Sequence, residues 1–128
     1  MSKRSVLDWE SQTDVRPAVQ AWAAKWGYSA VGDSQDGTRE FVRLQMGQTA
    51  QTRALHMGAR WSVGWHVSVR QTGSQVHLEA WITPPPAVRM MTLGLMWKEN
   101  GVRDRLGGAL ARGPLNVLLA ALGQPPIR

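Results

Sequence analysis

The chain has 128 residues, 43% of them apolar and 19% charged, the composition of one globular domain rather than a disordered or fibrous chain. Fifteen Lys and Arg against nine Asp and Glu leave a net charge of +6 and a pI near 11.1, a field that attracts phosphate polymers and anionic surfaces. With no cysteine, disulfides, a thiolate nucleophile and Cys-based zinc sites are excluded.

No apolar run reaches the ~18 residues of a membrane span. The first ten residues lack the apolar core of a secretory signal, so a cytoplasmic protein is expected. Ser5 to Trp9 is a short predicted strand interrupted by Asp8. Thr13 or Asp14 then caps a helix, with Pro17 in its first turn. Val15, Val19, Trp22 and Trp26 recur at i, i+4, i+7 and i+11, one apolar stripe that lays its two indoles on a sheet, and Gly27 stops the helix. Tyr28 to Val31 reads as a brief strand and Gly32 to Gly37 as a hairpin loop. In Arg39 to Met46, Val42, Leu44 and Met46 alternate with Phe41, Arg43 and Gln45, and the aliphatic set is expected to face inward. Gly47 to Arg53 is polar and reads as loop.

Arg60 to Arg70 alternates without a slip. Trp61, Val63, Trp65, Val67 and Val69 mark a buried face; Arg60, Ser62, Gly64, His66, Ser68 and Arg70 mark a polar one. A turn at Thr72-Gly73 returns the chain, with Val76, Leu78, Ala80 and Ile82 inward and His77, Glu79 and Trp81 outward. Pro84 to Pro86 ends that strand, since proline cannot donate to a ladder. Val88 to Trp97 is apolar and Met-rich, consistent with a strand, a flap or a short helix. Lys98 to Gly108 reads as loop, and Gly113-Pro114 starts a final helix that is apolar around most of its circumference. Such a helix is either sandwiched or meets another chain on its second side.

The fold class is therefore α+β: a single domain over 1–128, an antiparallel sheet of about four to six strands with two helices packed on one face. By element order alone this resembles the β-α-β4-α arrangement of TATA-binding-protein-like folds.

Three functional readings follow. Arg39, Phe41, Arg43, Arg60, Arg70 and Trp81 would share the sheet face away from the helices, pairing phosphate neutralisation with rings for base stacking; the partner would be single- or double-stranded nucleic acid. The competing reading is a surface for another protein or a second copy, for which exposed aromatics beside Arg are equally suited. Met90, Met91, Leu93, Leu95, Met96 and Trp97 are its second candidate interface. Thirdly, a turn at Thr72-Gly73 sets His66 opposite Glu79 and Ser68 opposite His77, with Trp81 over Gly64. His66, His77 and Glu79 could then hold a divalent metal or act as acid and base. A surface hydrogen bond is the commoner outcome for such a trio. No phosphate loop, dinucleotide fingerprint, nucleophile elbow or zinc-helix motif occurs, so no cofactor and no catalytic residue is expected, and the chain reads as a non-enzymatic binding domain.

Overall fold

A computed structural model describes residues 4–33, 36–45, 63–84, 100–103 and 108–128. In chain order the elements are β1 (Ser5–Glu10), α1 (Arg16–Lys25), β2 (Ser29–Asp33), β3 (Arg39–Gln45), β4 (Val63–Thr72), β5 (Gln75–Thr83), β6 (Asn100–Gly101) and α2 (Gly108–Ala121). The strands form one antiparallel sheet in the order β1-β5-β4-β3-β2. The two residues of β6 pair with Trp81 and Ile82 of β5, just past the point where Ser5 of β1 pairs with Ala80. β1 and β6 thus share one flank of β5 end to end. This part of the expected loop at 98–108 is therefore a strand.

The alternation in β4 and β5 decides which face carries the core. Trp65, Val67 and Val69 are buried opposite Ile82, Ala80 and Leu78, and directly opposed residues share a face. Leu7 and Trp9 of β1 join them opposite Leu78 and Val76. The same apolar cluster contains Val15, Val19, Trp22 and Ala23 from the first helical region, and Ala111, Leu115, Leu118 and Leu119 from α2. Burying a leucine contributes about 1.5–3 kcal/mol, so α2 is held mainly by Leu115, Leu118 and Leu119, all at most 1% exposed.

α1 begins later than its capping residues suggested. Val15 occupies the N-cap position without a side-chain bond. Asp14, one residue earlier, takes the Arg16 N–H at 3.0 Å. Gln71 of β4 secures this corner from both ends: its Oε1 accepts from Val15 N and its Nε2 donates to the Thr13 carbonyl, each at 2.9 Å. Both helices end alike. Gly27 and Gly123 adopt φ of +77° and +73°, and the next residue donates back to the third-last helical carbonyl (Tyr28 to Ala23, Gln124 to Leu119), each at 2.8 Å.

Trp22 does more than lie on the sheet. Its ring sits 4.4 Å from Tyr28, and its indole N–H donates to the Pro114 carbonyl of α2 at 2.8 Å. That bond joins the two helices. Pro114 itself is inside α2, not at its start. Its missing N–H leaves only the Leu110 carbonyl without an intrahelical donor, and Leu110 is 69% exposed, where water can supply one. The run Gly108 to Arg112 can therefore extend the helix backward through the proline.

Candidate functional site

The face of the sheet turned away from the apolar cluster is a polar lattice. It is built on a β4–β5 register two residues from the expected one. Gly73, at φ +61°, and Ser74 form the two-residue loop, so Thr72 pairs with Gln75 and all later pairs follow. His66 consequently faces Trp81, Ser68 faces Glu79, Arg70 faces His77, and Gly64 faces Thr83. A shift by two leaves every side chain on its expected face while changing every partner.

Trp81 is the centre of this lattice, and it is only 2% exposed. The His66 imidazole stacks on it with centroids 5.0 Å apart and planes 7° from parallel. The Arg4 guanidinium lies 3.6 Å from the indole centroid, a cation–π contact from the residue preceding β1. Arg4 also reaches Glu79 at 3.6 Å. His66 Nε2 meets the Thr83 hydroxyl at 3.0 Å, directly above Gly64. A Cβ on Gly64 would lie 2.5 Å from Thr83 Oγ1 and 2.8 Å from His66 Nε2, so the ring that covers this glycine is His66, not Trp81.

Further along, His77 Nδ1 is 2.6 Å from Asp8 Oδ1 of β1. An ionised carboxylate only accepts, so Nδ1 carries the proton in this bond. His77 Nε2 stands 3.9 Å from Glu79. Gln75 donates to Glu10 at 2.8 Å, and Arg70 reaches Asp36 at 3.4 Å. Asp8, Glu10, Glu40 and Glu79 therefore share this face with Arg4 and Arg70. Among the described residues it is not a basic platform.

Two expectations for this face need correction. Phe41 is 5% exposed and pairs with Val67 on the core side. Arg39 and Arg43, opposite Val69 and Trp65, go with it. β3 offers two alternations, and the aromatic ring takes the core because its arginine neighbours can reach around the margin with their long stems. Arg43 does so over the Trp65 ring, 5.1 Å from its centroid. Arg39 lies beside Arg16, Val19, Phe41 and Val69 at the edge of α1. Trp81, on the expected face, has both neighbours against its ring and offers no surface for a stacked base.

The proposed metal trio is not assembled either. His66 and His77 face different partners, Trp81 and Arg70, four positions apart along β4. That is on the order of 13 Å at strand rise. Among the described residues no group of three His, Asp or Glu is arranged to hold a metal ion. Arg60, together with Met90, Met91, Leu93, Leu95, Met96 and Trp97, lies outside the described residues. The partners that sequence reasoning missed, Arg4, Asp8 and Glu10, had a readable signal: Val6, Asp8 and Glu10 form the other alternation of β1, and Arg4 keeps the same parity just before the strand.

A second surface lies on α2. Its inner side is buried through Ala111, Leu115, Leu118 and Leu119. On the outer side Leu110 and Val117 are 69% and 46% exposed at i and i+7, with Gly113, Ala120 and Ala121 exposed around them. Arg112, half-buried, is turned to the Val102 carbonyl at 3.1 Å. The outer side thus presents no charge among the described residues. Among the described residues, no helix is long and apolar enough to cross a membrane. The chain matches no family model, no curated protein and no solved structure.

Proposed function

We propose that the chain is a binding domain that meets another protein, or a second copy of itself, through the outer side of α2. The observation that carries this reading is a helix exposing Leu110 and Val117 on a side that carries no charge among the described residues, on a chain of net charge +6. An apolar helix side open to water is stabilised by covering it. The test is mass in solution over a range of concentrations, for the parent chain and for Leu110→Glu and Val117→Glu. The parent is expected to associate in a salt-indifferent manner, and the variants to remain folded monomers. Variants that associate as the parent does would remove α2 as the contact; a parent that is monomeric throughout would leave only a foreign protein as occupant.

The second reading is a nucleic-acid binder, favoured by the net charge and by Arg39 and Arg43, which make no ion pair among the described residues. Nine of the fifteen cations but seven of the nine carboxylates fall in the described residues, so most of the excess charge lies outside them. The cations for a phosphate backbone would then be Arg39 and Arg43 beside α1, with Arg60 in addition, instead of the lattice around Trp81. Labelled oligonucleotides titrated at several salt concentrations distinguish the two. Binding that falls linearly on a log–log salt plot, and that weakens in Arg39→Ala and Arg43→Ala, supports this reading, with the slope counting the phosphates neutralised. Flat titrations at low salt would eliminate it.

A further inference from the structure

We draw no further inference here: the strongest candidate, the exposed outer edge of β2 beside Arg39 and Arg43, keeps regular pairing only at Ser29 and Ala30 before its bulge, and nothing in the structure shows what covers it.

Discussion

Replacing Gly64 by alanine sets two effects of opposite sign against each other. Glycine inside a strand costs roughly 0.5–1 kcal/mol relative to alanine, so the substitution should stabilise wherever there is room. Here there is none: the new methyl carbon would stand 2.5 Å from Thr83 Oγ1 and 2.8 Å from His66 Nε2. Threonine is stiff at χ1, and rotating its hydroxyl away gives up the 3.0 Å bond to His66. Overpacking of this kind costs about 1–3 kcal/mol, and the lost hydrogen bond about 1 more. The clash outweighs the gain, and Gly64→Ala is expected to lose about 1–3 kcal/mol, or roughly 4–11 °C in Tm for a chain of this size. Urea unfolding followed by circular dichroism measures it, in the parent and in a Thr83→Ala background. Without the threonine hydroxyl most of the penalty should vanish, giving a coupling of about 1 kcal/mol. Two results would refute the reasoning: a stabilising Gly64→Ala, or a loss unchanged by Thr83→Ala. Either would also reject the register, because with Trp81 opposite Gly64 the threonine would be out of reach.

Three other outcomes are expected. Burial pushes the Tyr28 hydroxyl up from 10.0 to about 12, against an opposing pull from Arg43. Below pH ~10 the phenol is neutral whether the chain is folded or not; between there and 12 only the unfolded chain loses its proton, so stability falls as pH rises through that window. The phenolate absorbance of this single tyrosine tests the shift, and a midpoint near 10 in the folded chain would contradict it. The Arg16 side chain, 2.8 Å away, and its backbone N–H hold the Asp14 carboxyl down at about 2, and Arg16→Gln should return it toward 3.8 in a carboxyl NMR titration, leaving stability almost unchanged at so exposed a pair. Trp22→Phe removes the bond to Pro114 and part of a buried ring, and is expected to cost about 1–3 kcal/mol in chemical denaturation; no measurable loss would mean that the two helices are not fastened through this residue.

Much of the architecture is legible in the residues because it rests on periodicity. The stripe from Val15 to Trp26 and the alternations of β4 and β5 depend on one repeat each, and every residue expected inward on Val76 to Ile82 is buried. Parity in β3 was not legible, because Arg39-Glu-Phe-Val-Arg-Leu-Gln supports both assignments and only the packing of Phe41 against Val67 chooses between them. The pairings around Trp81 required the exact turn. Moving the loop from Thr72-Gly73 to Gly73-Ser74 replaces Glu79 by Trp81 opposite His66, and with that change the acid–base trio becomes an aromatic stack. The start of α2 was misread for a local reason, since Pro114 is as compatible with a helix interior that gives up one hydrogen bond as with a first turn. The surplus of apolar residues on that helix was legible as a surplus; that its outer side stays open to water was not.

The flank of β5 that β1 and β6 divide between them also imposes an order on the chain's birth. Asp8 and the histidine it contacts are 69 residues apart, an interval that a ribosome takes on the order of several seconds to cover. During that time β1 has no strand to join, whereas β4 and β5 can zip together as soon as their two-residue loop emerges, within microseconds. β1 is thus made well before β5 but placed only after it. Its alternating Asp8 and Glu10 then have a further use: they keep an unpaired, nascent strand from seeking the wrong neighbour.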